Sequence, residues 1–207
     1  MRVAIVDYGS GNLASVAGAL SAIGADPLVT GDAAAIEAAD RVILPGVGAF
    51  GDCMQKLQQS GLIPLLEALR TKTPILGICV GAQMMCRSSD EFGHHPGLGW
   101  IEGEVRRLQP ADPNLRLPHV GWDELVPVRP SPIFADIPAD ALFYYTHSYG
   151  MQADGAELAT GLCDYGGSFM AAFAQGKLFG VQFHPEKSQR HGLAVLRNFA
   201  LSTLAEV

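Results

Sequence analysis

Three times in its first half the chain runs an apolar stretch into a glycine turn and then into residues of helical period, and this repetition constrains the fold more than any other feature. Val3 to Asp7 leads through Tyr8-Gly9-Ser10-Gly11-Asn12 to Leu13, Val16, Ala17, Leu20 and Ile23. Arg41-Val42-Ile43-Leu44-Pro45 passes into Gly46-Val47-Gly48, after which Met54, Leu57, Leu62, Leu65, Leu66 and Leu69 follow as a helix interrupted near Gly61 and Pro64. Pro74-Ile75-Leu76-Gly77-Ile78 gives way to a helix from Val80 to Met85. Strands that are apolar throughout must be covered on both faces, and their alternation with helices implies a parallel sheet.

Beyond Trp100 the pattern changes to short strands, Gly103 to Leu108, Asp123 to Val128 and Ala141 to Tyr149, separated by turns such as Arg129-Pro130-Ser131-Pro132. Phe169 to Ala174 and Leu178 to Phe183 read as a hairpin, and a last helix carries Leu193, Leu196, Phe199, Ala200 and Leu204 on one side. The expected fold is α/β: a single three-layer domain over residues 1–207, with a mixed, mostly parallel central sheet, helices on both faces and a β-rich second half.

Composition removes several classes. With 14 basic against 21 acidic residues the net charge is −7, and Arg106-Arg107 is the only adjacent basic pair, so no clustered positive surface for nucleic acid is expected. The longest apolar run, Phe169 to Ala174, falls far short of the roughly 20 residues that cross a bilayer. Nor does the N-terminus resemble a secretory signal, so the expected location is cytoplasmic. Cys53, Cys79, Cys86 and Cys163 show neither zinc spacing nor a disulfide framework. His94 and His95 are adjacent, His191 belongs to a solvated helix face, and His119 and His147 fall in loops or at strand ends, with no metal-binding spacing. No metal and no cofactor is expected.

Three motifs remain. Gly9-Ser10-Gly11-Asn12-Leu13-Ala14 fits the dinucleotide fingerprint, with Asp32 near the distance of a ribose-binding acid, but small residues at a strand-to-helix turn also serve backbone geometry alone. Gly77-Ile78-Cys79-Val80-Gly81 has the form of a nucleophile elbow with Cys in place of Ser. There a tight turn would expose Cys79 at a helix start, where free N–H groups and the dipole favour a thiolate and the Val80 N–H faces a developing oxyanion. A buried cysteine before a helix is the plainer alternative. In Phe183-His184-Pro185-Glu186-Lys187 the residues two apart face the same way, so the Glu186 carboxylate would orient the His184 imidazole; a surface turn is the alternative.

The elbow and the His-Pro-Glu motif together resemble those of the triad, or class-I, glutamine amidotransferases. Further segments are similar to the glutaminase subunits of imidazole glycerol phosphate synthases: Asp7 to Leu13, Leu44-Pro45-Gly46-Val47-Gly48, Pro118-His119-Val120-Gly121-Trp122, Tyr145-Thr146-His147-Ser148-Tyr149 and Lys187-Ser188. The resemblance implies a catalytic Cys79, His184 and Glu186, an oxyanion hole from Val47, Gly48 and Val80, and glutamine held by Gln83, Ser148 and Tyr149. It also implies a heterodimer with a (β/α)8-barrel cyclase that receives the ammonia, with Asn12, Trp122 and Lys187 towards the interface. Val80, Ala82, Gly150 and the stretch Cys86 to His95 depart from the family pattern. A glutaminase serving another ammonia-channelling synthase, such as one making pyridoxal phosphate, and a non-enzymatic dinucleotide-binding module are the other readings.

Overall fold

The apolar stretches of the first half form buried parallel strands, as their unbroken hydrophobicity requires. The computed structural model describes residues 1–152 and 158–204. In chain order the first half contains β1 (Arg2–Val6), α1 (Leu13–Ala22), β2 (Asp26–Thr30), α2 (Ala33–Glu37), β3 (Arg41–Gly46), α3 (Phe50–Gln59), α4 (Ile63–Leu69), β4 (Ile75–Cys79) and α5 (Val80–Gln83). The remainder contains β5 (Ser88–Ser89), β6 (His95–Pro96), β7 (Glu104–Arg107), β8 (His119–Glu124), β9 (Val126–Pro127), β10 (Leu142–His147), β11 (Tyr149–Gln152), β12 (Ala159–Asp164), β13 (Ser168–Gln175), β14 (Leu178–Val181) and α6 (Gln189–Leu201).

The main sheet runs β2-β1-β3-β4-β14-β13-β11-β7-β5-β6. From β2 to β14 every pairing is parallel, and β14 to β13 begins the antiparallel part. The chain steps from β1 outward to β2 and then back across to β3, so right-handed crossovers place α1 on one face and α2 to α4 on the other. Contacts agree: α1 packs on α6, and α2 packs on α4. The expected α/β architecture is the observed one. β8 and β10 pair separately as a two-stranded antiparallel ribbon.

Local differences have identifiable causes. The interruption expected near Gly61 and Pro64 is present and divides α3 from α4: Gly61 takes φ +72° and Pro64 stands in the first turn of α4. The helix expected from Val80 to Met85 stops after one turn, where the Met85 and Cys86 N–H groups bond three residues back to the Ala82 and Gln83 carbonyls and the Met84 and Met85 carbonyls accept from Leu98, Trp100 and Ile101. The strand placed at Asp123 to Val128 begins earlier, at His119, and breaks at buried Leu125. Ala141 to Tyr149 is interrupted at Ser148, where the chain leaves the ribbon and enters the main sheet. Leu204 lies beyond α6 yet packs on the core.

Candidate active site

Four adjacent parallel strands, β1, β3, β4 and β14, deliver the motifs singled out in the sequence to one edge of the sheet. The strand order reverses beside β1, and the crevice outside the carboxyl ends of the strands at such a point is where open α/β sheets bind ligands. Ser10 and Asn12 follow β1, Val47 and Gly48 follow β3, Cys79 ends β4, and His184 and Glu186 follow β14.

At the end of β4 the backbone turns sharply. Cys79 takes φ 53° and ψ −115°, outside the comfortable regions of an L-residue. Such a conformation costs on the order of 1–3 kcal/mol and persists only where the surroundings enforce it. Enforcement is visible on both flanks: a Cβ at Gly77 would sit 2.5 Å from the Ala82 Cα, and one at Gly81 would run into the Leu44 carbonyl. Side chains at those positions would push α5 away from β3 and β4, so both glycines are required by close packing. Because α5 is a single turn, the groups facing the sulfur matter more than a helix dipole. The Gln182 amide lies 3.7 Å from Sγ, and His184 lines the same cavity as the sulfur.

His184 directs Nδ1 at Glu186 Oε1, 2.8 Å away, which leaves Nε2 for the sulfur. Both side chains are almost wholly buried. Burial opposes the charged imidazole, but the hydrogen bonds and charges of Cys79 and Glu186 outweigh it and push His184 up to about 10. Burial likewise works to raise Glu186, yet His184, helped by the Asn12 amide 3.2 Å from Oε1, holds it below the ordinary carboxylate range. The arrangement stores a proton on an imidazole beside a cysteine sulfur.

Around Cys79 and His184 lies a cavity of about 270 Å³, whose lining also includes Val47, Gly48, Val80, Gln83, Ser148, Tyr149 and Lys187. Its volume lies just below the range of drug-sized clefts, roughly 300–1,000 Å³, and suits an amino acid better than a dinucleotide. A profile of the family described as glutamine amidotransferase class-I matches residues 4–203. The chain belongs to the class-I glutamine amidotransferases.

Relatives of this amidotransferase named imidazole glycerol phosphate synthase subunit HisH cover nearly its whole length. That of Moorella thermoacetica is 48% identical over 198 residues, 95% of this chain and 93% of the relative. That of Caulobacter vibrioides is 45% identical over 205 residues, 95% and 96% of the two chains. Among solved structures, one described as a glutamine amidotransferase superposes with a TM-score of 0.73 at 17% identity, over 96% of this chain and 98% of its own. PurLQS from Thermotoga maritima superposes with a TM-score of 0.72 at 17% identity, over 96% of each chain. At that identity these two report the fold.

Two residues that the sequence alone did not single out, Gln182 and Glu91, support the cavity's lining, the first of them through Gln83. Gln83 donates through Nε2 to the Tyr149 carbonyl (2.8 Å) and to Gln182 Oε1 (3.0 Å). A carbonyl only accepts, so this fixes the Gln83 amide, which in turn fixes the Gln182 amide with its N–H₂ towards Cys79. Gln182 is fully buried in the run Phe179 to Phe183, and that polar residue in an apolar strand was the available signal. Glu91, inside the departing stretch Cys86 to His95, reaches the cavity and accepts from the Phe50 N–H at 2.7 Å. The Val47 carbonyl accepts from Ser10 Oγ (3.1 Å) and Cys53 Sγ (3.3 Å), which ties the segment after β3 to the glycine turn after β1.

Two other sequence readings are decided here. Asp32 caps α2 by accepting from the Ala35 N–H at 2.8 Å, so it is occupied rather than held ready for a ribose. The glycine turn is folded onto Pro45 and Val47, and Asn12 faces Glu186, which leaves the fingerprint without a phosphate cradle. Trp122 is exposed on β8 with its edge against Tyr144, and the Lys187 ammonium stands 5.7 Å from the centre of the same Tyr144 ring. Among the described residues no cluster of three or more His, Cys, Asp or Glu is arranged to hold a metal ion, and no helix is long and apolar enough to cross a membrane.

Proposed function

We propose that this amidotransferase hydrolyses L-glutamine to glutamate and ammonia and passes the ammonia to a separate (β/α)8-barrel cyclase, as a heterodimer. The pair would make imidazole glycerol phosphate and aminoimidazole carboxamide ribonucleotide in histidine biosynthesis. The observation that carries the hydrolysis is the meeting of Cys79 and His184 in one small cavity with Glu186 behind the imidazole. The near full-length relatives named as subunits of imidazole glycerol phosphate synthase support the assignment of acceptor and partner.

The Cys79 thiolate attacks the side-chain amide carbon, and N–H groups of Val80 and of the Val47–Gly48 segment receive the negative charge on oxygen. His184 gives its proton to the departing nitrogen, so the C–N bond breaks to ammonia and a thioester remains on sulfur. His184, now neutral, takes a proton from water as the water oxygen attacks the thioester, which releases glutamate and restores the pair. Glu186 keeps the imidazole oriented in both steps. With both Gln83 N–H bonds occupied, its carbonyl oxygen is left for the substrate, beside Ser148 and Tyr149. Glu91 supplies the negative charge for the substrate ammonium. Ammonia released to neutral water becomes ammonium and loses its nucleophilicity, so a docked acceptor is required, with Asn12, Trp122 and Lys187 on the docking side.

The test is glutamate release with and without the cyclase and its nucleotide, together with mass-spectrometric trapping of a glutamyl adduct on Cys79. Turnover stimulated by the complex and an adduct lost in Cys79→Ala support the reading. Full-rate hydrolysis by the isolated chain, indifferent to the cyclase, rules out the coupling; absence of any adduct rules out the thioester.

A further inference from the structure

The break at Ser148, where the chain crosses from the ribbon to the main sheet, is braced by a row of hydrogen bonds outside the catalytic group. His147 Nδ1 lies 2.8 Å from the Tyr149 carbonyl, His147 Nε2 lies 3.2 Å from His119 Nδ1, and His119 Nε2 lies 2.7 Å from Asp123 Oδ2. The row begins at a carbonyl and ends at a carboxylate, both of which only accept. Three contacts therefore need three protons, and two neutral imidazoles bring two. The row closes only with one additional proton, shared among the two rings and Asp123. We propose that Asp123, His119 and His147 form a proton-dependent strut that positions the Ser148–Tyr149 wall of the glutamine site, and that Asp123 makes its closure depend on pH.

The surroundings indicate where the added proton rests. His119 is buried between the rings of Tyr145 and Tyr165, stacked at centroid distances of 4.9 and 4.0 Å, so π faces are available on both sides of a cationic imidazole. Titratable groups facing the row are Asp123 on the same strand, Tyr145 and His147 on β10, Cys163 on β12, Tyr165 in the turn after it, and His184 beyond His147; β13 offers Phe169. Burial pulls His147 down to about 3 against the pull of the Tyr149 carbonyl, so the charge belongs at the His119–Asp123 end. Burial also lowers His119, with Asp123 opposing, so the proton leaves below the ordinary histidine value of about 6.5. The strut is closed in acid and opens as the pH rises. Tyr149 then keeps the Gln83 bond and loses part of its second support.

Substituting Asn for Asp123 supplies the missing N–H, since its amide donates to His119 Nε2 and closes the row with two neutral rings at any pH. The inference rests on the glutaminase reading, so two readouts are needed. Histidine side-chain nitrogen-15 spectra of the full chain test the strut alone. From the acid limit of the folded protein up to about pH 8 the wild type is expected to pass from a doubly protonated to a neutral His119, while Asp123→Asn keeps a single Nδ1–H tautomer throughout. A neutral wild-type His119 with its proton on Nε2 at the acid end overturns the proposal. In the cyclase complex, the wild-type KM for glutamine is expected to rise about three- to tenfold more than that of Asp123→Asn over the same interval, the size of one net hydrogen bond, with kcat parallel in the two. Asp123→Ala, which supplies neither charge nor donor, is expected to raise KM at every pH. Equal pH slopes of KM in wild type and Asp123→Asn overturn the positioning role. If the wild type turns over no glutamine, the functional reading fails, and the spectra still decide the strut.

Discussion

Gln182 lies within hydrogen-bond reach of the sulfur, and replacing it with Glu is the most informative single change to the site. Glu keeps the shape and the oxygen that accepts from Gln83, but puts a second oxygen where the N–H₂ faced Cys79 Sγ at 3.7 Å. A hydrogen bond to a charged group is worth about 1.5–3 kcal/mol, and the long contact argues for the lower end. About 1.5 kcal/mol is roughly a tenfold loss of the reactive form, since 1.4 kcal/mol corresponds to a factor of ten. The assay is the rate of Cys79 alkylation by iodoacetamide at pH 7, with Cys53, Cys86 and Cys163, buried and not lining the cavity, as internal controls. Alkylation is expected to slow about tenfold and kcat/KM for glutamine to fall at least as much. The melting temperature should fall as well, because Gln182 is fully buried and a carboxylate there loses its hydration even though the Gln83 bond survives. An unchanged alkylation rate in a folded Gln182→Glu protein would refute the reasoning that the amide supports the sulfur.

Three further outcomes follow from contacts in the same region. Glu91→Gln should raise the KM for glutamine about tenfold with kcat retained; because burial raises the wild-type carboxyl despite the Phe50 N–H, wild-type KM should also climb as acid protonates it, a dependence the variant lacks. Glu186→Gln should cut kcat by about 10² or more and return His184 towards its ordinary range. The stability lost in that variant, measured by denaturant titration, should be largest between the ordinary carboxylate range and the ordinary histidine value of about 6.5, and should decline from there until about pH 10. It should shrink as pH falls through the depressed Glu186 value or rises through that of His184, since the charged pair is gone beyond either limit. Asp32→Ala should lower stability by about 1 kcal/mol through loss of its cap and leave glutamine turnover untouched; an activity loss would revive the dinucleotide reading.

Much of the fold was legible because the signals were local. Val3 to Val6, Val42 to Leu44 and Ile75 to Ile78 are apolar without interruption and so are buried on both faces, and Gly77 and Gly81 mark a turn that no Cβ tolerates. β2 escaped detection because it is a partly exposed edge strand containing Pro27, with no periodic pattern to read. The division of Ala141 to Tyr149 at Ser148 was equally invisible, since both halves are strand and differ only in the partner they pair with.

The sequence by itself picked out the candidate reacting groups: a cysteine between two glycines, a histidine, and a glutamate two residues later, each recognisable from its immediate neighbours. Only the tertiary structure decided which side chains support them. Gln182 and Glu91 enter the site, Asn12 turns to Glu186, Asp32 is taken up by a helix cap, and His119 and His147 share a row with Asp123. The physical reason is range. Strand, turn and helix preferences act over a few residues, whereas a hydrogen bond joining residue 12 to residue 186, or residue 83 to residue 182, exists only once the sheet has brought the carboxyl ends of its parallel strands together.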